Sequence, residues 1–251
     1  MIRTLLLATF LFAPTISAAQ CETVLFDDAE FTACEVEMTG ADVRLFLRDE
    51  AGEVLGTFGR VESLLPEGAR LDVAMNAGMF HEDRSPVGLY VENGEEEMRI
   101  ITSDGPGNFG LLPNGVLCLE EGQATVVESR AFAESPQPCR HATQSGPMLV
   151  IDGELHPRFL EDSDSYNIRN GVGVNAEGDR MWMVISDQAV NFHHFARFFR
   201  DYLETPNALY FDGRVSRLYA PEIGRSDLGF PVGPILGVVV DGTVDAGQGD
   251  G

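Results

Sequence analysis

Four times between Gly88 and Ser186 a short apolar run stops at a glycine-bearing turn and resumes beyond it. Runs 88–91 and 98–102 flank Asn93-Gly94, and runs 115–119 and 124–127 flank Glu120-Glu121-Gly122. Run 148–151 and Leu155 flank Asp152-Gly153, and runs 171–175 and 180–186 flank Glu177-Gly178-Asp179. Asn-Gly and Asp-Gly supply the positive φ angles that a tight hairpin needs, and runs of this length suit strands better than helices. A last apolar run, 235–240, adds another strand.

Helical signals are few. Phe192, Phe195, Phe199 and Leu203 recur at helical spacing, Asn191 precedes them as a cap, and Pro206 follows. The pattern predicts a helix from about Asn191 to Leu203, and a second, short one is expected near 61–65. Strands dominating, with a helix between two of them, imply an α+β fold: a mixed, largely antiparallel sheet with a few packed helices in a single domain.

Residues 1–19 read as an export leader: Arg3, an apolar stretch from Leu5 to Phe12, then Ser17-Ala18-Ala19. The expected organisation is leader 1–19, domain 20–240 and a flexible Gly- and Asp-rich tail 241–251. Gln20 occupies the place before Cys21 where a lipid-attachment site wants a small residue. Four cysteines in an exported chain suggest two disulfides. Of three pairings, Cys21–Cys34 and Cys118–Cys139 close the shortest loops; buried free thiols are the alternative. The location expected is periplasmic or secreted, with no stable membrane insertion once the leader is removed. A net charge of −23 argues against nucleic acid and anionic lipid as partners.

The chain has no G-x-S-x-G elbow, H-E-x-x-H or P-loop. His193 and His194 are adjacent and cannot form an i, i+4 metal pair. Four polar segments, each beside an apolar run, remain. The first, Met75-Asn76-Ala77-Gly78-Met79-Phe80, brings an amide and small residues that let a ligand approach. The second, Thr143-Gln144-Ser145-Gly146-Pro147, offers side-chain and backbone donors for an anion. The third, Asn167-Ile168-Arg169-Asn170-Gly171, holds an arginine able to fork a phosphate or carboxylate. In the fourth, 207–216, a buried strand ends at Asp212-Gly213, and a carboxylate there needs a partner or a task. Four such ends meeting at one sheet edge would make a pocket.

Together and in this order, these segments resemble the phosphodiester glycosidase family, whose pattern runs N-G-G-F-F, S-G-P, R-T-A-x-G and L-D-G-G-x-S-S. The matching stretches are 76–80, 145–147, 169–173 and 211–216, within a resemblance spanning about 71–240. Ala77 and Arg214 stand where the family has glycines, and only one serine, Ser216, follows. The resemblance implies an exported hydrolase that cleaves a sugar-1-phosphodiester or a related envelope glycan linkage.

Such a cleavage expels a phosphate monoester, a good leaving group, so the site needs a carboxylate and an anion clamp more than a strong acid. Asp212 is the candidate carboxylate, Arg169 the phosphate clamp and Asn76 an orienting group. Gly78, Phe80, Gln144, Ser145, Gly146, Gly213, Arg214 and Ser216 are expected to line the substrate site. Arg214 would either add a phosphate contact or pair with Asp212 and quench it. No cofactor is required; Asp162, Asp164 and Asn167 give only part of a calcium-loop spacing for a divalent cation. The expected partner is a carbohydrate or sugar phosphate. A non-catalytic module binding glycan or peptidoglycan through the same pocket is the alternative, and a structural envelope protein without a pocket the third reading.

Overall fold

The computed structural model describes residues 18–241, so the expected leader as far as Ser17 and the expected tail beyond Asp241 lie outside the described residues. In chain order the strands are β1 Ala19–Phe26, β2 Ala29–Glu37, β3 Asp42–Phe46, β4 Ala69–Asn76, β5 Tyr90–Glu92, β6 Glu95–Met98, β7 Gly115–Glu120 and β8 Gln123–Glu128. They continue as β9 His141–Ser145, β10 Met148–Ile151, β11 Glu154–Leu155, β12 Asn170–Val174, β13 Arg180–Ser186, β14 Asn207–Asp212, β15 Leu218–Ala220, β16 Arg225–Ser226 and β17 Ile235–Asp241. The α-helices are α1 Phe58–Glu62, α2 Ser129–Glu134 and α3 Phe192–Arg197.

The strands form three sheets, not the one mixed sheet expected. Their orders are β1-β2-β13-β12-β14-β10-β11, β16-β15-β4-β17-β3 and β6-β5-β9-β7-β8. Every strand pairing among the described residues is antiparallel. The reason lies in the connections. A parallel pair needs a crossover of a dozen residues or more, usually helical, and these helices have only five or six residues. The hairpin turns fall where expected: Asn93-Gly94 and Asp152-Gly153 each place two successive residues at positive φ.

Alternation along the strands divides the apolar residues between a shared interior and three outer layers. Cys34 and Val36 of the first sheet, Val73 and Met75 of the second, and Leu117 and Leu119 of the third meet in one core. Each outer face carries a helix. Phe195, Phe198 and Phe199 cover the first sheet over Phe31 and Tyr210. Phe58 and Val61 of α1 cover the second, and Phe132 of α2 covers the third. Fully burying one such aromatic stabilises the fold by about 1.5–3 kcal/mol.

Helix α3 starts where its cap predicts, with Asn191 Oδ1 accepting the His194 N–H at 2.8 Å. It does not continue as an α-helix to Leu203: Phe198–Tyr202 form a wider π-turn, with Leu203 N–H bonding to Phe198 O. The short helix is centred three residues earlier than expected, capped by Thr57. Two disulfides join Cys21 to Cys34, directly opposed on β1 and β2, and Cys118 to Cys139. The fold already holds Ala18 and Ala19: both N–H groups donate to the buried carboxylate of Asp72. No helix among the described residues is long and apolar enough to cross a membrane.

Candidate functional site

Four strand ends from three different sheets meet at one place. Asn76 ends β4 in the second sheet, Ser145 ends β9 in the third, and Asn170 opens β12 beside Asp212 at the end of β14 in the first. The β12–β14 register slips between Asn170 and Gly171, so Asn170 faces Asp212 while Gly171 faces Tyr210. Such a bulge turns side chains at a strand end away from the regular pleat.

Asn170, completely buried, is the hub. Its Nδ2 donates to Asn76 O at 2.8 Å and lies 3.2 Å from Asn76 Oδ1, while its Oδ1 accepts the Asp212 N–H at 3.1 Å. Asn76 Oδ1 also accepts the N–H of Arg217 at 2.9 Å. Ser145 Oγ donates to the carbonyl of Phe211 at 3.3 Å, one residue before Asp212.

Asp212 is half-buried. Its Oδ1 accepts two backbone N–H groups, from Gly213 at 2.5 Å and Arg214 at 2.6 Å. That pair orients the carboxylate and leaves Oδ2 without a hydrogen bond among the described residues. Gly213 is required by close approach, because a Cβ there would run into the Tyr210 hydroxyl. Arg214 is exposed, and no ion pair joins its side chain to Asp212 among the described residues. Ser216 Oγ lies 2.8 Å from Asp212 O and 3.0 Å from Ile168 O, so its single proton ties the turn to the segment before Arg169.

Arg169 lies beneath the site with no exposure at all. Its Nε donates to Val190 O at 2.8 Å, one Nη donates to Ser165 O at 2.7 Å, and the guanidinium stacks 3.7 Å from the centre of the Phe192 ring. Nη1 is buried and completes no hydrogen bond among the described residues. The Tyr210 phenol is close enough to interact with that positive charge without meeting Nη1 in good hydrogen-bond geometry. Burial lowers the Arg169 pKa from its ordinary value and raises that of Tyr210. Tyr210 feels both Arg169 and Asp212, and its hydroxyl also meets the Asn108 side chain.

Three expected lining residues are engaged elsewhere. Gln144 is buried and uses its whole amide internally: Oε1 accepts from Leu89 and Ile101 N–H, and Nε2 donates to Ile101 O and Ser129 Oγ. Gly78 packs so closely on the backbone of β9 that a Cβ would meet Gln144 O at 2.5 Å. Phe80 packs over Gly233 against the α1 layer. Gly146 packs on the 108–114 segment, where a Cβ would meet Asn114 Cβ at 2.6 Å and the carbonyl of Phe109 at 3.0 Å. Sequence reasoning passed over Asn170, Tyr210 and Asn108. Asn170 stands between Arg169 and Gly171, so a search for buried amides at strand ends would have found it.

Asp162 and Asp164 are exposed on the loop before Arg169, and Asn167 pairs through its backbone with Val190. Among the described residues no three His, Cys, Asp or Glu side chains gather as metal ligands.

The sequence profile of the phosphodiester glycosidase family matches residues 69–246, which include all four segments. The chain belongs to the phosphodiester glycosidase family. It is 34% identical over 177 residues to the uncharacterized protein YigE of Escherichia coli (strain K12), covering 70% of this chain and 69% of that one. Among solved structures it resembles the catalytic domain of zebrafish N-acetylglucosamine-1-phosphodiester alpha-N-acetylglucosaminidase. The TM-score is 0.59 at 12% identity, over 88% of this chain and 81% of that one. A hypothetical protein from Synechocystis gives a TM-score of 0.58 at 15% identity, covering 88% of this chain and 62% of the other. At such identities the likeness is one of fold.

Proposed function

We propose that this protein is an exported hydrolase that cleaves a sugar-1-phosphodiester or a related envelope glycan linkage at the junction of the three sheets. The observation that carries the reading is the hydrogen-bonded convergence of Asn76, Ser145, Asn170 and Asp212 from sequence-distant segments of a family member. Asp212, with Oδ1 fixed and Oδ2 unbonded, serves as the carboxylate that activates water or steadies the oxocarbenium-like carbon. The C1–O bond to phosphate breaks, the water oxygen bonds to C1, and the phosphate monoester leaves with the electron pair. Arg169 and Tyr210 form a buried polar floor, and the guanidinium, beyond the direct reach of a ligand, favours developing negative charge through space. Asn170 and Ser216 hold the Asp212 turn in place. The two disulfides and the leader-like first residues support a periplasmic or secreted location.

The test is turnover of an N-acetylglucosamine-1-phosphodiester by the wild-type protein and by Asp212→Asn. The expected result is hydrolysis by wild type and a loss of roughly 100-fold or more in the variant. Equal turnover by both would remove Asp212 from the chemistry. A second reading, a glycan-binding module, draws support from Arg214, an exposed arginine beside the Asp212 turn where the family pattern has a glycine. Saturable binding without turnover in both proteins would establish that one instead.

A further inference from the structure

On the outer side of the second sheet, a cleft of about 380 Å3 opens between α1 and the loop 226–232. That volume lies within the range of small-molecule sites. The cleft is separate from the Asp212 turn and is lined by Arg217, whose side chain the proposed hydrolysis does not use.

Arg217 is only 9% exposed. Its backbone N–H bonds to Asn76, yet among the described residues its guanidinium makes no hydrogen bond or ion pair. Asp227 is the charge it feels, and that carboxylate is taken up by Arg225 and by the N–H of Leu218. Gly229, at φ +148°, lies so close to the guanidinium that a Cβ there would fall 2.3 Å from Arg217 Nη2. One face of the fork is therefore closed by backbone, and the group lines the cleft with its donors unspent. A nearly buried cation without an acceptor is costly. Asp227 also lines the cleft, but with its oxygens held by Arg225 and Leu218 it completes no ion pair with Arg217 among the described residues.

The walls narrow the chemistry. The rings of Phe58 and Tyr219, 5.8 Å apart and tilted by 31°, give an apolar surface on which the face of a sugar ring can rest. Glu62, which accepts the Tyr219 hydroxyl at 3.0 Å, adds a carboxylate that welcomes hydroxyl donors and repels a bare anion. We propose that this cleft is a second ligand site, which takes a sugar unit bearing a phosphate or carboxylate, with the anion on Arg217 and hydroxyls on Glu62. The site is independent of Asp212 and stands whether or not the hydrolysis reading does.

The experiment is an amide NMR titration of the full chain with N-acetylglucosamine-6-phosphate, glucuronate, N-acetylglucosamine and inorganic phosphate. Expected are saturable shifts of the Gly59, Tyr219 and Gly229 amides with a charged sugar, the tighter of the two telling phosphate from carboxylate. Neutral sugar and inorganic phosphate should bind about tenfold more weakly or worse. Arg217→Ala should abolish the shifts and Asp212→Asn should keep them. Leu228→Glu alters a side chain 91% exposed at the rim, so the fold should tolerate it, and it should weaken the charged sugars about tenfold. Absence of saturable shifts with both charged sugars would overturn the proposal. So would shifts unchanged in Arg217→Ala or Leu228→Glu, inorganic phosphate binding as tightly as the charged sugars, or loss of binding in Asp212→Asn.

Discussion

Replacing Asn170 with alanine should cost this protein a large part of its stability, although the change removes no apolar surface. The side chain is fully buried and bonds to Asn76 O, Asn76 Oδ1 and Asp212 N–H at 2.8, 3.2 and 3.1 Å. Asn76 Oδ1 keeps the Arg217 N–H after truncation, so it is not orphaned. Asn76 O and Asp212 N–H each lose a partner in a place that water reaches poorly. At about 1–3 kcal/mol for each group left unsatisfied, the expected loss is about 2–6 kcal/mol, against the 5–15 kcal/mol typical of a whole domain. Guanidinium unfolding with both disulfides oxidised, extrapolated linearly to water, measures it. The same measurement on Asn76→Ala and on the double variant closes a cycle. Side chains in direct contact should couple by about 0.5–3 kcal/mol, whereas independent ones add to within about 0.5 kcal/mol. A loss below about 1 kcal/mol, or simple additivity, would refute the view that this amide pair joins the first and second sheets at the site.

The remaining expectations concern single residues. Gly213→Ala drives a methyl into the Tyr210 hydroxyl, so turnover should fall roughly 100-fold, and adding Tyr210→Phe should recover part of it; a silent Gly213→Ala would mean that the turn yields freely. Arg214 acts on Asp212 through its backbone N–H, so Arg214→Ala should change stability by no more than about 0.5 kcal/mol and leave the pH profile of turnover in place; a displaced acid limb would show that the side chain reaches the carboxylate. Burial, aided by Arg140 and Arg44, pulls His141 from 6.5 down to about 4. Between those values the unfolded chain takes up a proton that the folded one refuses, so stability falls as pH drops through the window. His141→Gln should flatten that slope, measured as unfolding free energy against pH; an unchanged slope would assign it to other groups.

The local grammar of the fold was legible because tight turns carry their own chemistry. Asn93-Gly94 and Asp152-Gly153 specify hairpins whatever surrounds them. The division into three sheets was not, since it depends on which strands from distant segments pair, and β4 finds both neighbours, β15 and β17, more than 140 residues downstream. Strand β2 escaped notice because Ala29, Ala33 and Cys34 are small and its alternation is blurred. The site was legible as four segments but not as an arrangement. Gln144 and Asn170 are both amides at strand ends, and only the packing shows that one is consumed under the third sheet while the other joins two sheets. Tyr210 looked like one more apolar strand residue, and its hydroxyl acquires a role only once Gly213 and Arg169 fold against it.

The place of Asn170 also bears on how this protein would age. The amide precedes Gly171, and an Asn followed by glycine can cyclise when the next backbone nitrogen swings onto its side-chain carbonyl. In β12 both residues are paired with neighbouring strands, and Gly171 is wedged against the Leu209 carbonyl, 2.6 Å from where a Cβ would lie. The folded chain thus withholds the motion that the reaction needs, while an unfolded chain permits it. Each excursion to the unfolded state therefore exposes the hub to a chemical change that refolding does not reverse, and the lifetime of the site is set by how rarely the strand opens.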